Sequence, residues 1–353
     1  MVYLKTTDTC QLDCKHCFTN GKNGAKGWFD EVKTVEFFKR LKQKFPHYNN
    51  ANISFHGGEP MLCPIEKMEY VYENLKDLWV NLTWGIQTNL TYNLDQRKID
   101  FMGKISDTSI GTSYDSNIRW TTINQKLLWE RNIRTLVDAG FDITVMVCID
   151  KDLISRDPRY ILDYLIDLGV KYVNFERITL NGNATRNMDH IPTNKEIDDW
   201  IYKLWMVTKN ENYNDRILNM FFESILSGVV YGTFNGCRSR ECEQKILTIN
   251  ANGTIGGCPN NAVNNTFGTI NDDIDTIIYS PDRMCLIQTE TMRNDICYSC
   301  PVYDICNGDC HQLNWDGDVC ASPKSMMIDA KNTDINIIKR VLGDMMATEG
   351  TDL

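Results

Sequence analysis

The sequence predicts an α/β fold: a partial (β/α)6 TIM-like barrel, followed by a small cysteine-rich domain and a C-terminal helix. Over the first 230 residues, short apolar runs alternate with segments of helical periodicity. Beyond about residue 235 this periodicity fades, while Cys, Gly and Asn become frequent. Alternating strands and helices indicate parallel βαβ units, whose right-handed crossovers wind the sheet into a curve.

The strands are predicted from six short apolar runs in the first part of the chain. They cover residues 2–7, 52–57, 82–88, 108–113, 142–149 and 171–178. Six βα units are fewer than the eight that close a TIM barrel, so we expect a partial barrel. A doubly wound open sheet is the alternative.

Helices are predicted where apolar residues recur at helical spacing, as Val35, Phe38, Leu41 and Phe45 do. The predicted helices cover residues 31–45, 65–78, 122–140 and 158–169, with two more within 195–228 and one at 327–347. The predicted domains are residues 1–230, residues 231–326, and a C-terminal helix and tail at 327–353. We expect the second domain to be held by metal rather than by a large core.

Composition excludes several classes of partner. The chain has 353 residues and a formal net charge of −10, and it has no basic stripe that would suit a nucleic acid. No apolar run reaches the roughly 18 residues of a membrane span, and the N-terminus lacks a signal peptide. We therefore expect a cytoplasmic protein without membrane or nucleic-acid partners. In that reducing compartment, the 14 cysteines are expected to bind metal rather than form disulfides.

Three cysteines directly follow the first predicted strand. Cys10, Cys14 and Cys17 have the spacing C-x3-C-x2-C, and soft thiolates suit an iron–sulfur cluster or zinc. Three thiolates can bind three irons of a [4Fe–4S] cluster and leave the fourth iron open to an exchangeable ligand. Polar residues also follow the other strands, including GGEP at 57–60, so a site is expected at this rim.

The CQLDCKHC motif, followed by GGEP, resembles the radical S-adenosylmethionine (SAM) superfamily. The resemblance implies that the amino and carboxyl groups of SAM chelate the open iron. One-electron reduction would then yield methionine and a 5′-deoxyadenosyl radical, which abstracts hydrogen from the substrate. In that family an aromatic residue commonly precedes the third cysteine, whereas this chain has His16.

The same resemblance implies which residues contact SAM. Ser113 would contact the ribose, Arg119 would lie near the SAM carboxylate, and His16 would lie near the adenine. The residues that would receive the amino group are Gly57, Gly58, Glu59 and Pro60.

A second group of cysteines lies between residues 237 and 320. Its spacings, C-x10-G-x4-C and C-x2-C-x5-C-x3-C followed by Cys320, are similar to those of the SPASM domain. The resemblance implies two auxiliary [4Fe–4S] clusters. The first would be bound by Cys237, Cys242, Cys258 and Cys310, and the second by Cys297, Cys300, Cys306 and Cys320. Cys237 lies outside the core motif; without it, one iron of the first cluster would be open to substrate. Two zinc knuckles are the alternative.

The leading functional hypothesis is oxidative modification of a side chain in a ribosomal peptide or protein by cross-linking, thioether formation or dehydrogenation. Expected partners are that substrate and an electron donor such as flavodoxin or ferredoxin. Because the cysteine motif begins at residue 10, we expect no fused leader-binding domain and therefore a leader-independent target or a separate recognition protein. Asp115, Glu176 and His56 are the candidate acid–base residues, and the first two are preferred.

Three alternatives remain open. One is a dehydrogenase of a small molecule such as a sugar alcohol. Another is formylglycine formation of the sulfatase-maturase type, which Pro259 disfavours because an acidic residue follows the matching cysteine in that subgroup. The third is a non-enzymatic binding module stabilised by zinc. Of the remaining cysteines, Cys148 and Cys63 are expected to pack in the core.

Overall fold

A computed structural model describes residues 1–106 and 109–343. The strands are β1 (Val2–Lys5), β2 (Asn50–His56), β3 (Asn81–Ile86), β4 (Ser109–Tyr114), β5 (Asp142–Ile149), β6 (Tyr172–Arg177), β7 (Leu218–Asn219), β8 (Leu247–Ile249), β9 (Thr254–Gly256) and β10 (Thr266–Thr269). The helices are α1 (Glu31–Lys44), α2 (Ile65–Leu75), α3 (Gln96–Ile105), α4 (Ser116–Arg119), α5 (Ile123–Asp138), α6 (Lys151–Ile154), α7 (Pro158–Asp167), α8 (Asn194–Glu211), α9 (Met220–Tyr231), α10 (Cys242–Lys245), α11 (Ile274–Ile278), α12 (Pro281–Thr291), α13 (Tyr303–Cys306), α14 (Lys324–Lys331) and α15 (Ile335–Leu342).

The six predicted strands form one curved parallel arc. β1, β2 and β3 pair in parallel, as do β4, β5 and β6. A parallel bridge between Gln87 and Gly111 joins the two halves, and the Thr88 N–H donates to the Gly111 carbonyl at 2.9 Å. The strand order along the arc follows the chain order, which confirms the predicted partial barrel and excludes the doubly wound alternative.

Side chains alternate between the two faces of this arc. Leu4, Phe55, Val145 and Phe175 are fully buried in the hydrophobic core that the outer helices share. The opposite, inward face carries Tyr3, Lys5, Ser54, His56, Gln87, Ser113, Met146, Cys148, Asn174 and Glu176, as the strand register shows. The interior of a TIM barrel is usually filled by branched apolar residues. A polar interior therefore indicates that this barrel is built around a site.

Four predicted helices are confirmed, since α1, α2, α5 and α7 lie within the predicted ranges 31–45, 65–78, 122–140 and 158–169. Asp30 caps α1 by accepting a hydrogen bond from the Lys33 N–H. On that helix Val35 and Phe38 are buried, and Leu41 packs against the core. Helix α3 was not predicted, although its Phe101, Met102 and Ile105 are buried beneath the barrel.

The cysteine-rich region extends the barrel sheet instead of standing apart from it. β8 pairs in parallel with β1, and β9 and β10 continue the sheet in antiparallel fashion. Leu247, Ile249, Ile255 and Phe267 belong to the same hydrophobic cluster as the barrel. The short strands of this region therefore add to the core of the barrel, and the expectation that metal holds the region stays a prediction.

The predicted closing helix at 327–347 is two helices, α14 and α15. The break follows Asn332, and Asp334 caps α15 by accepting from the Asn336 N–H at 2.7 Å. Residues 344–353 lie outside the described part of the chain. No helix in the described ranges combines the length and apolarity needed to cross a bilayer.

Candidate active site and metal centres

The loop that carries Cys10, Cys14 and Cys17 connects β1 to α1 and is fixed by neighbouring loops. The Lys15 N–H donates to the Ile118 carbonyl at 2.9 Å. Asn183, from the segment after β6, donates through its backbone to the Cys17 carbonyl at 2.8 Å and through Nδ2 to the Cys14 carbonyl at 3.0 Å. Sequence reasoning missed Asn183, because its function depends on a contact across the barrel mouth.

The thiols themselves receive hydrogen bonds. Asn89 Nδ2 donates to Cys10 Sγ at 3.3 Å, and the Leu12 N–H donates to the same sulfur at 3.4 Å. Burial raises the pKa of Cys10 to about 11 and that of Cys14 to about 12, and charge on Cys17 contributes to both increases. A bound metal ion would compensate the charge of the thiolates, so that metal binding would release protons.

GGEP packs against the residues that lead into Cys10. The Gly58 N–H donates to the Thr7 carbonyl at 2.8 Å, and the Glu59 N–H donates to the Thr9 carbonyl at 2.9 Å. Gly57 has φ of 143°, and a Cβ there would lie 2.3 Å from the Thr7 carbonyl oxygen. Only glycine fits this approach, so GGEP fixes the start of the cysteine loop.

Glu59 is fully buried and holds the loop that follows β3. Its carboxylate accepts from Thr88 Oγ1 at 2.6 Å, from the Asn89 N–H at 2.7 Å and from the Met61 N–H at 2.9 Å. Burial raises its pKa to about 7, against the effect of these hydrogen bonds. Because Asn89 also donates to Cys10, Glu59 positions the residue that contacts the loop of Cys10, Cys14 and Cys17. The expected contact of Glu59 with the SAM amino group stays a prediction.

Asp115 is the centre of a buried charged group. Its Oδ2 lies 2.5 Å from Arg119 Nε and 3.2 Å from His16 Nε2, while its Oδ1 accepts from the Cys148 N–H at 3.0 Å. Burial disfavours its charge, but Arg119 and His16 hold the pKa of this carboxyl well below its usual range. A carboxylate with these partners suits positioning rather than proton transfer. The adenine contact of His16, the SAM-carboxylate contact of Arg119 and the acid–base role of Asp115 stay predictions.

Cys148 faces this group and not the helices. The ligand atoms of His16, Asp115 and Cys148 lie within 4.8 Å of one another. The expectation that Cys148 packs in the core was therefore wrong, because along β5 its neighbours Val147 and Ile149 take the buried positions. The expectation for Cys63 agrees with its burial.

Ser113 and Glu176, two further predicted residues, both face the barrel interior. Gln87 Nε2 donates to Ser113 Oγ at 3.0 Å. Asn174 Nδ2 donates to Glu176 Oε1 at 2.7 Å, and burial raises the pKa of Glu176 to about 7. Of the three acid–base candidates, Glu176 has the environment that suits proton transfer near neutral pH, whereas burial lowers the pKa of His56 to about 3.

The four cysteines of the first predicted auxiliary set lie together at the opening of the barrel. Cys237 accepts hydrogen bonds from Cys242 and Cys310, which lower its pKa. Charge on Cys237 contributes to a raised pKa of Cys258, although burial has the larger effect. Cys237 lies outside the core sequence motif, yet in the structure it contacts two of its expected partners, Cys242 and Cys310.

The second auxiliary set surrounds a cavity of about 180 Å³. Its lining includes the four expected ligands, Cys297, Cys300, Cys306 and Cys320. A neighbouring cavity of about 190 Å³ is lined by Cys297 and Cys310 together with Arg240 and Arg293.

The residues around both cysteine sets fit iron–sulfur clusters. In the described part of the chain, the buried donors Arg240 Nε and Arg293 Nε have no hydrogen-bond partner. The sulfurs of a cluster are acceptors for such donors, and these hydrogen bonds tune its reduction potential. Thiolate-only ligation with unpaired N–H donors nearby therefore matches the chemistry of a bound cluster.

A buried ion pair joins the barrel to the auxiliary sets. Arg177, at the end of β6, binds Asp309 with both Nη atoms, at 2.6 and 3.0 Å, and donates to the Ala321 carbonyl at 2.9 Å. Arg238 Nη1 lies 3.7 Å from the same carboxylate. Because Asp309 directly precedes Cys310 and Ala321 follows Cys320, this pair fixes both cysteine sets relative to the strand that carries Glu176.

The chain shares its fold with solved proteins that bind AdoMet, which agrees with the predicted partial barrel and cysteine-rich C-terminal region. Native anSMEcpe with bound AdoMet has a TM-score of 0.80 at 16% identity, and the match covers 98% of this chain and 100% of that one. Its complex with AdoMet and Cp18Cys peptide has a TM-score of 0.79 at 15% identity. At such identities the likeness establishes the fold.

Streptococcus suis SuiB shares the fold more distantly. Its complex with the precursor peptide SuiA has a TM-score of 0.62 at 14% identity, over 90% of this chain and 75% of SuiB. No protein-family model matches the chain. An uncharacterized protein of Methanocaldococcus jannaschii is 29% identical over an alignment of 218 residues, and the match covers 57% of this chain and 70% of that protein.

Proposed function

We propose that this chain is a radical SAM enzyme that oxidatively modifies a side chain of a ribosomally synthesised peptide or protein. The observation that carries the proposal is the polar barrel interior. The loop of Cys10, Cys14 and Cys17 and the first auxiliary cysteine set both border this interior. The shared fold supports it, since anSMEcpe and SuiB have been solved with the peptides Cp18Cys and SuiA.

The N-terminal cysteines would hold the SAM-binding [4Fe–4S] cluster, and the two later sets would hold the auxiliary clusters. When bound, the first cluster and SAM supply a 5′-deoxyadenosyl radical that removes a hydrogen atom from the substrate. The chain orients this centre: Asn89 fixes Cys10, while Asp115 fixes His16 between Cys14 and Cys17.

Glu176 is proposed as the base that takes up a proton from the substrate. After loss of a hydrogen atom, oxidation of the side chain releases one proton and one electron. Glu176 faces the interior near Cys237 with a pKa of about 7 and would accept the proton, and an auxiliary cluster would accept the electron. Pro259 stands where sulfatase maturases carry an acidic residue. The proton acceptor therefore lies on β6 in this chain, which favours a modification other than formylglycine formation.

The test is anaerobic incubation of the reconstituted enzyme with SAM, a reductant and the peptide encoded beside its gene. We expect 5′-deoxyadenosine together with a change in peptide mass. Cys14→Ala should abolish both products, whereas Glu176→Gln should retain SAM cleavage and lose the mass change. Unchanged peptides with turnover of a sugar alcohol would instead favour the dehydrogenase. We propose two physiological partners, which can be added to the same assay. One is an electron donor such as flavodoxin or ferredoxin, and the other is a separate leader-recognition protein.

Metal analysis separates the enzyme from the zinc-stabilised module. Three [4Fe–4S] clusters require about twelve irons per chain with matching sulfide. A colourless protein that binds zinc at the same cysteines would contradict the proposal.

A further inference from the structure

Lys5 is a buried cation that makes no hydrogen bond or salt bridge with the described residues. It lies on the inward face of β1, its side chain is 0% exposed, and its Nζ has no hydrogen-bond partner among the described residues. Its Nζ lies over the ring of Phe18, 5.7 Å from the centroid, a cation–π contact that does not neutralise the charge. Burying an unpaired ammonium group opposes folding, so its presence in the barrel interior points to a ligand that pairs with it.

His56 adds a second donor beside Lys5. The two residues are register partners on β1 and β2. The Gly57 N–H donates to His56 Nδ1 at 2.8 Å, so Nε2 carries the hydrogen of the neutral ring and can donate. Burial lowers the pKa of His56 to about 3, which keeps the ring neutral. Tyr3 and Phe18 pack against this ring, with centroids at 5.6 and 6.0 Å, and frame the two donors with apolar surface.

Lys5 is near enough to residues of the N-terminal cysteine loop and of the first auxiliary set for their charges to affect its pKa. Burial lowers its pKa to about 8, and charges on Asp8, Cys17 and Cys258 oppose this shift. The amine is therefore mainly protonated at pH 7. Lys5 ends β1, the strand that leads into the N-terminal cysteine loop and pairs with β8, which lies between Cys242 and Cys258 in the chain. Asp8 attracts Lys5 without a hydrogen bond, and Asp8 Oδ1 is itself buried without a partner.

We propose that Lys5 and His56 together bind a carboxylate of the peptide substrate, so that the residue to be modified is held between the two cysteine groups. This inference rests on the proposed function and specifies its substrate: the target peptide is acidic at or beside the modified position. The carboxylate has two possible sources, an Asp or Glu side chain or the C-terminus of the peptide.

The test is affinity selection with peptide libraries on the cluster-loaded, SAM-bound and unreduced enzyme. One library has Asp fixed at the centre, a second has Asn there, and both end in an amide; a third has central Asn and a free C-terminal carboxylate. We expect wild type to retain one of the acidic libraries about tenfold better than the neutral library. Lys5→Met should reduce this ratio to about one, and Lys5→Arg should keep part of it. Lys26→Met, which changes an exposed lysine of the same region, should match wild type.

Equal retention of all three libraries by wild type, or an unchanged ratio in Lys5→Met, would overturn the inference. Thermal unfolding of the loaded enzyme gives a second readout. Lys5→Met removes an unpaired buried charge, so the unfolding midpoint of this variant should equal or exceed that of wild type. A lower midpoint would mean that Lys5 is paired with Asp8, and this result would also overturn the inference. SAM cleavage without peptide is measured in parallel. The absence of SAM cleavage would contradict the proposed function. SAM cleavage by an enzyme that does not prefer the acidic peptide libraries would contradict only this inference.

Discussion

Replacing Arg177 with Met should destabilise the protein far more than the same change at an exposed arginine. The side chains of Arg177 and Asp309 are 6% and 4% exposed, so the substitution leaves a carboxylate buried without its bidentate partner. Removing one partner of a buried pair costs about 3–5 kcal/mol. Arg238, 3.7 Å from the carboxylate, compensates in part and places the expected loss near the lower end, at about 3 kcal/mol.

The assay is thermal unfolding of the anaerobically loaded enzyme, with Arg159→Met as the matched control. Arg159 also pairs with a carboxylate, that of Glu211, but the two side chains are 44% and 39% exposed. Exposed pairs contribute roughly 0–1 kcal/mol. We expect the midpoint to fall by about 5 °C in Arg177→Met and by at most about 2 °C in the control. Equal shifts in the two variants would refute the view that this pair joins the barrel to the auxiliary sets.

Three further predictions test the site. The modification rate of wild type should rise as the pH passes through about 7, because a base must be ionised to act and the pKa of Glu176 is about 7; a rate that does not change with pH over this range would exclude this role. Cys237→Ala should lower the iron content from about twelve toward about eight per chain if the first auxiliary cluster is lost, and full retention would leave that cluster with three cysteine ligands. Gly111→Ala should displace Gln87, whose Oε1 would lie 2.1 Å from the new Cβ, and cost about 1–3 kcal/mol; an unchanged unfolding midpoint would show that the Gln87–Ser113 contact adapts freely.

The barrel could be predicted from sequence because its signal is local. Each of the six strands is a short apolar run bounded by a helix whose own periodicity is strong, as on α1 with Val35 and Phe38. Helix α3 was missed, although Phe101, Met102 and Ile105 are spaced for one buried face. Its ten residues are short for a periodicity argument, and a polar start in Gln96, Arg97 and Lys98 obscures it.

The strands of the cysteine-rich region could not be predicted in this way. β8, β9 and β10 have three or four residues each, and β8 is stabilised by pairing with β1, which lies more than 200 residues earlier in the chain. Strand propensity over so few residues carries little information, because pairing and burial decide the outcome. The cysteine spacings pointed to metal, and the shared core with the barrel followed only from the structure.

Within the site, motif residues could be placed from sequence, but their roles could not. Asp115 and Glu176 both follow or end a barrel strand and looked equivalent as acid–base groups. The structure separates them, since Asp115 is enclosed by Arg119, His16 and Cys148 while Glu176 faces the interior. Lys5 gave no signal at all, because a single lysine in a strand reads as an exposed residue until its burial is known.

The central claim is that Cys10, Cys14 and Cys17 leave one metal atom free for the amino and carboxyl groups of SAM. Electron–nuclear double resonance of the reduced, fully loaded enzyme with SAM labelled by ¹⁵N at its amino group tests this claim most directly. We expect a hyperfine coupling from that nitrogen to the cluster, and its loss in Cys14→Ala. A cluster with full iron and sulfide content that shows no such coupling in wild type would contradict the account.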